Sequence, residues 1–372
     1  MASEEPQDNG QKLDLGRFEV RTDLAREAHD MAVEQRRDGS AIPGVQMDEQ
    51  KENGITTSWI RIEDRQGAEE LGKEPGIYLT LEVPDLRSQD SRLQKRVSNH
   101  FADQFQQFLA EVGIGLNDSV LIVGLGNRNV TADALGPFVV KDLMVTRHLF
   151  QLMPEQVETG YRPVSAVAPG VMGLTGMETS EIIFGIVEKT QPDAVIAIDA
   201  LASRALNRVN TTIQVADNGI NPGSGVGNNR KGINRETLGI PVIAVGIPTV
   251  VDAATIAYDT VDFVLAHLNR QMTQTAPTNP LDPLDRASVK ELRAQNVSPE
   301  ASEKFLGIVG TLDSQEKRSL INEVLNPLGQ NLIVTPKEVD SFIGDMAKVV
   351  ADGLNCALHE AVTPENVSTH SS

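Results

Sequence analysis

The chain of 372 residues carries 33 Lys and Arg against 52 Asp and Glu, a formal net charge of -19. That balance argues against direct binding to a nucleic-acid backbone, which requires clustered Lys and Arg. No run of ~18 or more apolar residues occurs, so no membrane span is expected, and the single cysteine, Cys356, excludes an internal disulfide and points to a reducing compartment.

Aromatic residues make up 4% of the chain, so Val, Ile, Leu and Ala must fill the core. The polar, acidic opening from Met1 to Gly10 lacks the apolar stretch of a signal peptide, and its composition predicts disorder. Leu24 to Arg37 can form a helix, and Asp38 to Asn53 reads as a polar loop. Thr56 to Ile62 and Ile77 to Glu82 alternate as strands do. From Ser91 to Val112, the residues Val97, Phe101, Phe105, Phe108, Leu109 and Val112 fall on one helical face.

Strand and helix then alternate. Val120–Val123 precedes a helix near Leu135, with Pro137 suited to its first turn. Val164–Ala168 leads through a glycine-rich loop to a helix near Ser180–Lys189, and Ala194–Ile198 to a short helix around Ser203–Val209. Thr211–Val215 and Val242–Val245 are further strands, and a helix follows from Ala253 to about His267. Repeated βα units of this kind predict an α/β fold, a mostly parallel sheet with helices on both faces in three layers. Gln271 to Asp285, rich in Pro, Thr and Asn, reads as a linker or mobile loop, and the remainder is mainly helical. There, Thr335-Pro-Lys-Glu338 has the form of a capping box opening the last long helix.

The site chemistry rests on two apolar runs that each lead to an acid. Val120-Leu-Ile-Val-Gly-Leu-Gly-Asn127 continues to Asp133, and Ala194-Val-Ile-Ala-Ile-Asp199 ends on its own carboxylate. Groups just beyond the carboxyl ends of parallel strands line the ligand crevice, so two acids delivered there can divide acid and base roles in hydrolysis. Either Asp can instead cap the next helix, and Asp252 is a rival third carboxylate. His-Glu-x-x-His, Gly-x-Ser-x-Gly and zinc-spaced Cys/His clusters are absent from the sequence, and His148 and His267 fall near helix ends, where capping explains them. The loop Asn221-Pro-Gly-Ser-Gly-Val-Gly-Asn-Asn-Arg-Lys231 can wrap a phosphate, admit an extended peptide, or be a plain surface loop. No cofactor is expected.

The segments Gly124-Leu-Gly-Asn-Arg-Asn-Val-Thr-Ala-Asp-Ala-Leu-Gly-Pro137, Tyr161-Arg-Pro-Val-Ser-Ala-Val-Ala-Pro-Gly-Val-Met-Gly173, Ile196-Ala-Ile-Asp-Ala-Leu201 and Asn221–Asn228 resemble the germination protease family of spore-forming bacteria. So do Val245–Ala253, Phe305–Leu312 and Val334–Phe342, and the resemblance runs from about Leu13 to His359. It implies an endopeptidase that degrades small acid-soluble spore proteins at germination, made in the forespore cytoplasm as a zymogen and assembled as a homotetramer. It implies a fold similar to that of the hydrogenase-maturation proteases, with Asp133 and Asp199 on their two acidic positions. Those proteases add a His to a metal site, whereas no His occurs here between His148 and His267. The domain plan that follows is a propeptide (1–23), a peptidase core (24–270), a linker (271–300) and a helical part (301–372) completing the same fold.

Family substrates are cut after an acid and before an apolar residue followed by Ala, with Glu three positions beyond the apolar residue. Thr22-Asp23 followed by Leu24-Ala-Arg-Glu27 presents that arrangement, so self-cleavage is expected between Asp23 and Leu24; alternatively, Asp23 is only an N-cap. Water held between Asp133 and Asp199 is the expected attacking group. The alternatives are a metallopeptidase with both acids as ligands, or a nucleotide- or phosphate-binding protein using the 221–231 loop. Asn127, Asn129, Gly223, Gly225, Arg230 and Lys231 are candidates for contacting substrate, and Arg204, Arg208, Arg230 and Lys231 for holding the acidic residue before the cut.

Overall fold

A computed structural model describes residues 22–36, 40–221, 231–273, 299–312, 314–325 and 332–367. Residues Arg21–Asp252 and Ile333–Ser372 form one compact unit, and Ala253–Leu332 belong to another. In the second, helices Pro299–Leu306 and Ser314–Leu325 pack against helix Ala253–Thr273.

The first unit is built on a sheet in which nine strands are described: β1 (Val45–Glu52), β2 (Ile55–Ile62), β3 (Gly76–Glu82), β4 (Val120–Gly124), β5 (Val164–Val167), β6 (Ala194–Ser203), β7 (Thr212–Ala216), β8 (Val242–Asp252) and β9 (Ile333–Val334). Their spatial order is β1-β2-β3-β7-β8-β6-β4-β5, with β9 on β8. The run β8-β6-β4-β5 is parallel, and the strands from β7 to β1 extend it as an antiparallel wing. Helix-containing crossovers join β4, β5 and β6 in parallel, while in the wing a hairpin joins β1 to β2 and a return through helix Arg65–Leu71 joins β2 to β3.

Period-two alternation divides the core into layers. Val120, Ile122, Ala194, Ile196, Ile198, Ile243 and Val245 face one side. They meet Phe101, Phe105 and Phe108 of helix α3 (Ser91–Glu111) and Ile343, Met346, Val350 and Leu354 of the C-terminal helix Val339–Leu358. Leu121, Val123, Val195, Ala197 and Val242 face the other side, under Ile183 and Val187 of helix Thr179–Thr190. On that same side of the wing, helix α1 (Ala25–Gln35) sets Ala25, Ala28 and Ala32 against Ile60, Ile62, Tyr78 and Ala216. Helix α2 (Arg65–Leu71) precedes β3, α3 spans Ser91–Glu111, and α4 spans Leu135–Lys141 after β4. The result is a three-layer α/β fold, as the strand–helix alternation predicts.

Three local expectations are corrected. Residues 45–52 form strand β1 and are not a loop; β1 is an edge strand with mostly exposed side chains, so it needs no apolar alternation. Its signal is the Asn53-Gly54 turn, with φ of 51° and 82°, which closes the hairpin onto β2. Thr335 does not cap the last long helix. Its hydroxyl donates to the Thr249 carbonyl at 2.9 Å, extending the attachment of β9 to β8, and the helix starts later, with Glu338 at its N-cap. Strand β6 does not stop before Asp199 but runs on to Ser203, because β8 runs equally far and pairs with it.

The stack of Phe101, Phe105 and Phe108, with neighbouring ring centroids 5.4 and 6.4 Å apart, is fully buried. Replacing Phe105 with Ala leaves a void between α3 and the sheet. The expected loss is about 3–5 kcal/mol, read as a lower denaturant midpoint.

Candidate active site

Paired strands place Gln214, Gly246 and Asp199 in one row across β7, β8 and β6, with Ala216, Ala244 and Ala197 in the next. These residues share the sheet face that carries α1 at one end and helix Thr179–Thr190 at the other. Between those helices the sheet presents small side chains, and a cavity of about 1240 Å³ opens there. Its lining includes Asp133, Asp199, Asp23, Lys73, Gln214 and Gly246.

Asp199 enters the cavity from within β6, beyond the part of that strand paired to β4. Its Oδ1 accepts the Ala200 amide at 2.9 Å. Asp133 comes from the loop after β4, at the end of a 3-10 turn, Thr131–Asp133. The Asn127 amide donates to both the Asp133 carbonyl (3.0 Å) and its Oδ2 (2.8 Å), which closes the loop. Two glycines permit this: a Cβ on Gly126, at φ +103°, would lie 2.0 Å from the Asp133 carbonyl oxygen, and one on Gly136 2.4 Å from the Leu125 carbonyl oxygen. The Leu125 amide bonds the Ile198 carbonyl at 2.7 Å, and Thr249 Oγ1 donates to the Ala132 carbonyl at 2.6 Å. The loop carrying Asp133 is thereby tied to the strand carrying Asp199 and to β8.

The segment before α1 borders the same cavity through Asp23. The Asp23 amide donates to the Ala202 carbonyl at 3.0 Å, and Asp23 Oδ2 accepts the Ala202 amide at 2.7 Å. Gln214 spans the following bond: its Nε2 donates to the Asp23 carbonyl at 2.9 Å and its Oε1 accepts the Ala25 amide at 2.6 Å. Lys73 Nζ donates to the Thr22 carbonyl at 2.7 Å. Leu24 is fully buried, and Glu27 accepts the Arg204 and Ala205 amides at 2.7 and 2.9 Å.

Burial, and then the Asp133 carboxylate, raise the pKa of Asp199 to about 8; Asp23 adds to the rise and the Ala200 hydrogen bond opposes it. Burial also lowers the pKa of Lys73, against the pull of Asp23 and Glu27. Among the described residues no group of three or more His, Cys, Asp or Glu side chains is placed to hold a metal ion. The acids here supply two carboxylates without the third ligand that a metal hydrolase site ordinarily provides.

Asn127 and Asn129 shape the Asp133 loop, the Asn129 amide donating to Asn127 Oδ1 at 3.0 Å, and neither lines the cavity. Asp252 closes β8 away from the lining. Lys231 is exposed and also outside the lining, while Gly223, Gly225 and Arg230 lie outside the described residues. Arg208 binds Glu27, Asp30 and Glu82 at 3.6, 2.9 and 2.6 Å. Lys73 and Gln214 were not anticipated. The one available signal was a polar residue inside the apolar strand Ile213-Gln-Val215.

A three-layer α/β protein with one acid in the loop after β4 and another within the neighbouring parallel strand β6, both lining a cavity of about 1240 Å³, has the layout of a hydrolase. Comparison with known proteins gives the particular kind. The family model described as germination protease matches residues 25–371. The chain is 56% identical to the germination protease of Bacillus cereus strain AH187 over 362 residues, covering 96% of this chain and 98% of the relative. It is 55% identical to that of Bacillus mycoides over the same shares, and 56% to that of Bacillus anthracis over 363 residues, again 96% and 98%. The chain belongs to the germination protease family and is an endopeptidase. Among the described residues no helix is long and apolar enough to cross a membrane.

The raised pKa of Asp199 has a consequence for stability. Between the ordinary carboxyl value of 3.8 and about 8, the folded protein keeps a proton that the unfolded chain has released, so this contribution falls as pH rises through that window. D199N lacks it. Denaturant unfolding of both proteins between pH 5 and 8 is expected to show wild type losing ground to D199N with rising pH, by up to about 1.4 kcal/mol per unit. Parallel curves would contradict the assignment.

Proposed function

We propose that this endopeptidase is made as a precursor that cuts itself between Asp23 and Leu24, and that the cut enzyme degrades small acid-soluble spore proteins at bonds following an acid. The homotetramer and the forespore setting implied by the family resemblance belong to the same proposal. The observation that carries it is the place of Asp23 in the lining of the cavity that Asp133 and Asp199 also line, with the Asp23 carbonyl held by Gln214.

In the proposed reaction, Asp199 holds the proton near neutral pH, because it is the acid whose charged form the site disfavours. Asp133 takes a proton from a water molecule, and the resulting hydroxide adds to the carbonyl carbon before the apolar residue. Asp199 gives its proton to the carbonyl oxygen as the C–O bond forms, and the Gln214 amide stabilises that oxygen as negative charge develops. Asp133 then returns its proton to the departing nitrogen as the C–N bond breaks. The hydroxyl proton of the intermediate goes back to Asp199. A new carboxyl group and a new amine leave, and both side chains recover their starting states.

D133N and D199N are each expected to lower cleavage at least about 1,000-fold while unfolding cooperatively like wild type. Normal activity in either variant overturns the assignment. The first residue of the self-cut protein, read by N-terminal sequencing, is expected to be Leu24. Wild-type kcat/KM is expected to decline as pH rises above about 8, where Asp199 loses its proton. Activity is expected to survive chelation; its loss on chelation, with restoration by a divalent cation, would support metal-assisted hydrolysis instead.

A further inference from the structure

Building on the cleavage site proposed above, we propose that Lys73 and the Ala202 amide form the subsite that selects an acidic side chain before the scissile bond. Lys73 follows α2, where Gly72 turns the chain at φ 60° and the Lys73 amide closes on the Ala68 carbonyl at 3.1 Å. That turn directs the side chain into the cavity, where its Nζ binds the Thr22 carbonyl, one residue before Asp23. The Ala202 amide directly meets Asp23 Oδ2, at 2.7 Å. The subsite thus pairs a short-range donor, which any oxygen acceptor satisfies, with a cation that distinguishes a carboxylate from an amide.

Among the described residues lining the cavity, Lys73 and Arg65 are the cations. Arg65 is largely exposed and pairs with Glu69 at 3.0 Å. Arg208 is committed to three carboxylates, and Arg204 is outside the lining. Lys73 is therefore the described lining cation beside Asp23, bound to the carbonyl of the residue before it. With Asp199 and Asp133 sharing the cavity, a second role follows: Lys73 offsets the repulsion that a further carboxylate would meet there.

The test uses the full-length chain and the rate at which the fragment beginning at Leu24 appears, followed by mass spectrometry. D23N keeps an oxygen acceptor for the Ala202 amide and removes only the charge. In the wild-type background D23N is expected to slow self-cleavage about tenfold or more. In the K73M background the same change is expected to alter the rate less than about threefold, and K73R is expected to retain the tenfold discrimination. A purely structural role for Lys73 would slow both D23 and D23N chains equally and leave their ratio intact. That result overturns the subsite, as does loss of discrimination in K73R. If K73M fails to fold, K73Q takes its place, with the same expected loss of discrimination. A wild-type chain whose new first residue is not Leu24 overturns the cleavage site, and the subsite with it, whereas correct cleavage with an unchanged K73M ratio overturns the subsite alone.

Discussion

The pairing of β6 with β4 on one side and β8 on the other is the constraint on which the site depends. Parallel register sets Gly124 beside Ile198, so the chain leaves β4 level with the residue before Asp199. The Leu125 amide then bonds the Ile198 carbonyl, and the loop returns Asp133 to the same rim. Across the sheet, Asp199 lies opposite Gly246 and Gly246 opposite Gln214. A one-residue slip in either pairing would turn Asp199 toward the phenylalanine layer, because successive strand residues face opposite sides. An unpaired carboxylate buried there would be costly, so the apolar faces and the acid enforce the same register.

The space for substrate comes from what the row lacks. Gly246 and Ala244 carry almost no side chain at the centre of the sheet, and the covering helices stand to either side. The segment from Thr22 to Glu27 borders this gap through Asp23 and has an almost complete set of partners: Lys73, Ala202, Gln214, Arg204 and Ala205. Each contact is to backbone or to a carboxylate, which are the groups that any peptide with an acid before an apolar residue presents. Leu24 meanwhile packs with no exposure at the start of α1. The chain's own N-terminal segment is held as a peptide and as part of the core at once.

Burial that would weaken a surface protein's charge balance here tunes chemistry. Two carboxylates in one cavity cannot both ionise freely, and the site resolves the conflict by keeping the proton on Asp199 into the neutral range. Lys73 answers the same crowding from the opposite side of the cavity chemistry: its charge is disfavoured by burial but supported by Asp23 and Glu27. Asp133 and Asp23 thus act on Asp199, and Asp23 and Glu27 on Lys73.

Much of this was readable in the chain. Buried parallel strands announce themselves as β-branched runs, so β4 and β6 and the acids they lead to were visible, as was the apolar face of α3. The Asn53-Gly54 pair is a hairpin signal that the loop reading of Asp38–Asn53 passed over, because β1, polar and at the edge, carries no periodic signal. Other features had no local trace. Lys73 is one lysine after a short helix, and only long-range packing brings it to Thr22. Arg208 looked available until folding surrounded it with Glu27, Asp30 and Glu82. The sequence by itself determined which segments are buried and which residues carry chemistry, because hydrophobic periodicity and residue type are local properties. Which cation meets which acid, and how far β6 and β8 continue together, were decided by tertiary structure alone, because charge pairing and strand length depend on partners remote in the chain.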